Sequence, residues 1–149
     1  MSSKKAAKSK VKCSHKAGKR KMALARATVK VGKGVIRINS QNLDSYSNSI
    51  VKLRIHEPLM LLKNIVDLTK LDINIYTEGG GVSGQTDAIR TAISRALIDF
   101  VGGEKGELIR EILIKYDRSL IAGDSRRTEP HKPGGSTKGP RARRQKSYR

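Results

Sequence analysis

Three glycines in the segment GGGVSGQTDAIR could place backbone amides against a phosphate. Gly79, Gly81 and Gly84 match the pattern G-x-G-x-x-G between a predicted strand and a predicted helix. The dinucleotide fingerprint is otherwise missing. Asp99, about 20 residues on, lies inside a predicted helix, and no second β-α-β unit follows. A nucleotide-dependent enzyme is thus disfavoured, and the loop either contacts a nucleic-acid backbone or is a structural turn.

Cys13 and His15 are the next candidates, as ligands of a metal ion. A structural zinc site needs further ligands at patterned spacing, and His56 and His131 are isolated. No local spacing suggests a catalytic triad or a pair of catalytic carboxylates. We therefore expect no metal, no cofactor and no enzymatic activity, and the single cysteine fits a reducing compartment.

Lysine and arginine supply the strongest chemical signal. The 149 residues include 32 Lys or Arg and 13 Asp or Glu, a formal net charge of +19. Residues 1–43 hold 13 bases and no acid, residues 44–123 hold 10 bases and 11 acids, and residues 124–149 hold 9 bases and 2 acids. A near-neutral body between two cationic ends predicts a polyanionic partner, and nucleic acid is the leading candidate.

An anionic membrane is the weaker alternative. No apolar run approaches the roughly 18 residues that a membrane span requires. The N-terminal segment has no apolar stretch after its charges, so we do not expect a secretory signal.

Four basic residues in the segment AGKRKMALARA lie immediately before the first predicted strand: Lys19, Arg20, Lys21 and Arg26. We expect them to contact RNA phosphates from the body, although a solvated charge run is the alternative. The chain has only four Tyr, one Phe and no Trp. So few rings argue against recognition of single strands by base stacking.

The remaining pattern predicts a compact α+β domain with the order β-β-α-β-α-α. Alternating residues around Gly32-Lys33-Gly34 predict a hairpin, with Val29, Val31, Ile36 and Ile38 on one face. A third strand covers residues 71–77, with Leu71, Ile73 and Ile75 inward. We predict a flexible basic arm over residues 1–18, disordered to about Lys16, then a domain over 19–122 and an extended Arg-rich arm over 123–149.

Three helical segments are expected. Residues 47–63 are predicted to form two pieces that break near His56 and Glu57, before Pro58. The clearest helix follows Gly84, with an apolar stripe that ends at Gly102. A last helix spans residues 104–116.

Four stretches resemble one family in the family's own order. GKRKMALARA, LDINIYTEGGGVSGQTDAIRTAISRAL, KYDRSLIAGDSRRTEP and the terminal QKSYR together resemble ribosomal protein S nine of the small subunit, in its archaeal and eukaryotic branch. The resemblance covers residues 17–149. It implies an S5-domain-2-like fold with a left-handed crossover and a place on ribosomal RNA in the subunit head.

The resemblance also implies roles for individual residues. The C-terminal arm would thread through ribosomal RNA towards the peptidyl-site tRNA. The residues nearest that tRNA would be Lys146, Ser147, Tyr148 and Arg149. The arginines that line the path of the arm through ribosomal RNA would be Arg126, Arg127, Arg141, Arg143 and Arg144. The RNA face of the body would add Gly79, Gly80, Gly81, Ser83 and Gln85 to Lys19, Arg20 and Lys21.

The partners expected from the resemblance are small-subunit ribosomal RNA, peptidyl-site tRNA and neighbouring proteins of the subunit head. We expect a cytoplasmic, ribosome-bound protein without a membrane partner that does not form homo-oligomers. The alternative is a free-standing protein that compacts nucleic acid or acts as an RNA chaperone.

Overall fold

Five strands and three helices make up the described part of the chain. The computed structural model describes residues 12–46 and 48–127. The strands are β1 (Cys13–Arg20), β2 (Ala23–Val31), β3 (Ile36–Ile38), β4 (Gln41–Asn42) and β5 (Leu71–Glu78), and the helices are α1 (Ser49–Leu62), α2 (Val82–Val101) and α3 (Gly103–Tyr116). This confirms the predicted single α+β domain of the S5-domain-2-like type. The structure has two strands that were not predicted, β1 and β4.

The sheet is mixed, with the strand order β1-β2-β5-β3-β4. β1 pairs antiparallel with β2, and β2 antiparallel with β5, whereas β3 is parallel to β5 and β4 is antiparallel to β3. Parallel neighbours require a crossover, and here α1 lies in the chain between β3 and β5.

The predicted hairpin around Gly32-Lys33-Gly34 is wrong. β2 and β3 are not neighbours, because β5 lies between them and pairs with both. The loop instead passes over the start of β5, where the Asp72 carboxylate accepts the amides of Lys33 (2.8 Å) and Val35 (3.1 Å). These backbone hydrogen bonds, that from Val35 foremost, lower the pKa of Asp72. Val31 was predicted to lie on the apolar face with Val29, but it is 62% exposed.

β1 lies largely within the segment predicted as the N-terminal arm. The expected disorder up to about Lys16 is wrong for residues 13–16, which pair with β2. Its inward positions include Ser14 and Gly18, which lack the apolar alternation that marks a strand in sequence. The domain limits at residues 18 and 122 otherwise stay a prediction, since residues 1–11 and 128–149 lie outside the described part.

The helices agree with prediction except near Pro58. α1 is one helix with Pro58 inside it, so the predicted break is wrong. Pro58 is buried together with Ile55, Leu59 and Leu62, and this packing offsets the lost hydrogen bond. α2 begins at Val82, three residues before the predicted limit, and α3 begins one residue early.

The core lies between one face of the sheet and the helices. α2 contacts β1 and β2, while α1 and α3 pack against α2. The inward residues of β2 are small (Ala23, Ala25 and Ala27), whereas β5 contributes Ile73 and Ile75. The buried core is aliphatic, as the composition indicates. The other sheet face carries no helix among the described residues.

Gly18 permits the close approach of β1 to α2. A Cβ atom there would lie 2.6 Å from the backbone nitrogen of Ala92 and closer still to the carbonyl oxygen of Ala88. Backbone atoms of a buried helix cannot move aside cheaply. We expect Gly18→Ala to lower the free energy of unfolding by about 1–3 kcal/mol, measured by urea denaturation of the full chain.

Gly84→Ala is the matched control. A Cβ atom at Gly84 would make ordinary contacts with Ala23 Cβ at 3.5 Å and Arg20 O at 3.6 Å. Because Gly84 lies inside α2, alanine should be neutral or stabilise by about 0.5–1 kcal/mol. Equal stability of Gly18→Ala and the parent chain would contradict the proposed packing constraint.

Candidate RNA-binding surface

The basic β1–β2 turn and the glycine loop lie side by side. Gly79 and Gly80 have φ of 71° and 68°. A Cβ atom at Gly79 would lie 2.8 Å from the Met22 carbonyl oxygen, and one at Gly80 would lie 2.9 Å from the Ala23 nitrogen. These two glycines are therefore required by the backbone and by packing against the turn, as in the structural-turn alternative.

Gly81 and Ser83 offer the open part of this loop. Gly81 precedes α2 with a φ of −117°, and a Cβ atom there would meet nothing within 4 Å. Ser83 is exposed in the first turn of α2, where backbone amides have no partner within the helix. Gln85 instead holds the loop, because its Nε2 donates to the carbonyl of Gly79 at 3.1 Å.

Lys19 and Lys21 are exposed beside the loop. We call these two lysines together with Gly81 and Ser83 the basic loop end. The pattern of residue types alone did not indicate that the two segments meet. They do so because β2 pairs with β5, and Leu24 near the start of β2 lies opposite Glu78 at the end of β5. Two exposed lysines and the positive end of α2 therefore lie at the same end of the sheet, which favours an anion there.

Arg20 has a different environment from its neighbours. Its guanidinium lies 3.6 Å from Asp87 and forms an ion pair with Asp124, and its side chain is only 19% exposed. Asp124 also accepts the backbone amide of Arg126 at 2.7 Å and binds its guanidinium at 3.0 Å. Arg20 thus holds the first residues of the C-terminal arm against the body.

Arg95 reinforces this attachment from α2. It donates to the carbonyl of Ile121 through Nε (2.9 Å) and Nη2 (2.7 Å), and to the carbonyl of Ala17 through Nη1 (2.9 Å). The segment after α3 is therefore fixed to both α2 and β1. We call Arg20, Arg95 and Asp124 the arm anchor. Arg95 was missed from sequence because it lies in a helix with no distinguishing motif.

The remaining predicted residues lie elsewhere. Arg26 is exposed on the outer sheet face, 3.4 Å from Glu78. Arg126 and Arg127 are exposed directly beyond the arm anchor. The predictions for Arg141, Arg143, Arg144, Lys146, Ser147, Tyr148 and Arg149 concern positions outside the described residues.

A buried ion-pair network, also missed from sequence, joins the three helices. Arg90 of α2 is 7% exposed. It pairs with Glu57 of α1 at 2.6 Å, with Asp117 after α3 at 3.6 Å and with Asp87 at 3.7 Å. Asp87 also approaches Arg20, so the network continues into the arm anchor.

Neither a metal site nor a membrane span is found in residues 12–46 and 48–127. Cys13 is exposed and unpaired there. His15 Nδ1 hydrogen-bonds with the hydroxyl of Thr28 at 2.8 Å. No group of three potential metal ligands comes together in this part of the chain, and none of its helices is long and apolar enough to cross a membrane.

Comparison with known proteins identifies the family. The family model described as Ribosomal protein S9/S16 matches residues 18–149. The chain is 48% identical over 139 residues to the small ribosomal subunit protein uS9 of Methanococcus vannielii, which covers 93% of this chain and all of that protein. It is 47% identical to the uS9 of a Methanococcus maripaludis strain over the same shares. The 139 matched residues exceed the length of the predicted domain, so the similarity extends into both predicted arms.

The Arg90 network makes a prediction about stability. Removal of the guanidinium leaves Glu57, Asp87 and Asp117, whose side chains are partly exposed, without the nearly buried cation that they share. We therefore expect Arg90→Met to lower the free energy of unfolding by about 2–3 kcal/mol, less than the loss of a fully buried pair. Arg110→Ala is the control, because Arg110 is 52% exposed and lies 3.9 Å from Glu107. That variant should lose no more than about 0.5 kcal/mol in the same denaturation series.

Asp117 should make the stability of the fold depend on pH in the acid range. Hydrogen bonds from Ser119, first its hydroxyl and then its amide, and the charge of Arg90 lower the pKa of Asp117. The stabilisation is complete above the unfolded value of about 3.9 and is lost as the pH falls through the lower folded value. Asp117→Asn should therefore melt below the parent chain at neutral pH, and the gap should close in acid.

Thermal melts over a pH series test this expectation. Asp67→Asn, which removes an exposed carboxylate paired with Lys70, controls for the loss of one negative charge. A gap between Asp117→Asn and the parent chain that persists unchanged at the lowest pH would refute the assignment.

Proposed function

The chain belongs to the ribosomal protein S9/S16 family, and from this premise we propose that it binds ribosomal RNA in the head of the small subunit and reaches peptidyl-site tRNA with its C-terminal arm. Membership makes it a structural component of the small ribosomal subunit. The proposal adds the RNA-binding residues, the tRNA contact, the neighbouring head proteins and a cytoplasmic location. It includes no catalytic step.

The body contacts RNA through the basic loop end. Lys19 and Lys21 neutralise phosphates, while Gly81 allows a phosphate to approach the first amides of α2 without a side chain in the way. Arg26 adds a cation on the adjoining sheet face. Such contacts carry little sequence information and depend strongly on salt. Gly79, Gly80 and Gln85 act indirectly by shaping the loop.

The arm anchor carries the proposal for the C-terminal arm. Arg20 and Arg95 fix the chain at Asp124 and Ile121, so the arm leaves the body at a defined point next to Lys19. Beyond it, residues 126–149 hold nine Lys or Arg and a single acid, Glu129. An arm that starts in a fixed place loses less entropy when RNA orders it. Arg126, Arg127, Arg141, Arg143 and Arg144 then pair with phosphates along its path.

The last four residues contact tRNA. Arg149 supplies a permanent positive charge, Lys146 a second cation, and Tyr148 a ring that can pack or stack beside Ser147. Removal of residues 146–149 leaves the body and the arm anchor intact. We therefore expect assembled subunits with this truncation to sediment normally and to release peptidyl-site tRNA faster.

Filter binding of tRNA to purified small subunits measures this effect. Double replacement of Lys4 and Lys8 by alanine removes the same positive charge from a segment outside the family match and serves as control. Equal tRNA affinity of truncated and control subunits would exclude the tRNA contact. Failure of the full chain to co-sediment with small subunits at moderate salt would instead favour the free-standing alternative.

A further inference from the structure

The outer face of the sheet is lined by polar and basic side chains and is not covered by a helix of the described chain. The strand register aligns one row of residues across it: His15 lies opposite Thr28, Thr28 opposite Asn74, and Asn74 opposite Arg37. The next row pairs Arg26 with Tyr76. We call these six residues the outer sheet site.

The two rows, together with Asn39, Ser40 and Asn42 at the β3–β4 turn, line a shallow depression of about 800 Å³. Paired strands lie about 4.8 Å apart, and residues two positions along a strand point to the same face. Tyr76, Asn74 and Arg37 therefore surround one patch of surface. Its size falls within the range of sites that accept small organic molecules or a nucleotide.

The charges of this face favour an anion. Glu78, one of its two acids, is paired with Arg26, and the other, Asp72, accepts amides of the β2–β3 loop. Within residues 12–46 and 48–127, no carboxylate lies within ion-pair distance of Arg37. An exposed guanidinium beside amide and hydroxyl groups fits a phosphate, which it can bind bidentately.

Tyr76 gives the site an aromatic surface. Its side chain stands on β5, flanked by Arg26 on β2, and the residue is 55% exposed. A ring that projects from the face of a sheet offers a stacking platform for an unpaired base. The amide of Asn74, the next outward residue, can both donate to and accept from a base edge. A base-paired helix would keep its bases stacked inside and leave this ring unused.

We propose that the outer sheet site binds an unpaired nucleotide of single-stranded RNA, with the base stacked on Tyr76 and the phosphate held by Arg37. This deepens the proposed RNA-binding function and rests on it. It also revises the sequence-based argument that a chain with few rings does not stack bases. A single ring suffices for one nucleotide when the sheet surrounds it with polar groups.

Photocrosslinking of the full chain to a short single-stranded RNA that contains 5-iodouridine tests the site. Mass spectrometry should locate a crosslink at Tyr76. In equilibrium titrations, Tyr76→Ala should weaken binding of the single strand by about tenfold, the value of one base stacked on an aromatic ring. Tyr76→Phe should retain the affinity, because the ring remains. Binding of an RNA duplex should be the same for all these proteins.

Tyr116→Ala is the matched control, because Tyr116 is 54% exposed on α3, away from the sheet. Loss of affinity in this variant equal to that in Tyr76→Ala would overturn the proposal. Crosslinks confined to the arms or the basic loop end would also overturn it, but would leave the proposed function intact. Binding of a neighbouring protein to the outer sheet site in assembled subunits would overturn the proposal in the same way. Failure of the parent chain to join small subunits would instead count against the proposed function.

Discussion

Strand β5 forms backbone hydrogen bonds along both of its edges, antiparallel to β2 and parallel to β3. Its inward residues, Ile73 and Ile75, belong to the core, whereas its outward residues Asn74 and Tyr76 belong to the outer sheet site. Its C-terminal end leads into the glycine loop and α2. A shift of one residue in its register would exchange these two sets and destroy the core and the surface together.

The basic side chains of this protein differ in whether they form ion pairs within the body. Within the body, carboxylates surround Arg90 and Arg20, whose side chains are 9% and 19% exposed, and thereby join helices or attach the arm. Lys19 and Lys21 at the basic loop end are exposed and form no ion pair with a described carboxylate. Burial of a charge without partners would be costly, so Arg90 and Arg20 act as structural ties within the body.

Local sequence patterns predicted those elements whose burial follows a simple period. β5 alternates, and α2 carries an apolar stripe, so both were expected within three residues of their limits. β1 was missed because its inward positions hold Ser14 and Gly18, which are buried only because α2 passes so close. The break at Pro58 was wrong because the core around α1 compensates for one lost hydrogen bond. The predicted pairing of β2 with β3 was wrong, because it was inferred only from their closeness in sequence.

The sequence by itself determined the fold class, the cationic ends, the family resemblance and the types of residue that can bind RNA, because composition and local periodicity are properties of the chain. Only the tertiary structure decided that the β1–β2 turn meets the glycine loop. The same holds for the insertion of β5 between β2 and β3, and for the meeting of Arg37, Asn74 and Tyr76 on one surface. These juxtapositions depend on pairing between distant segments, which no local pattern encodes. The same pairing separates Arg20, tied to Asp124, from Lys19 and Lys21, which face solvent.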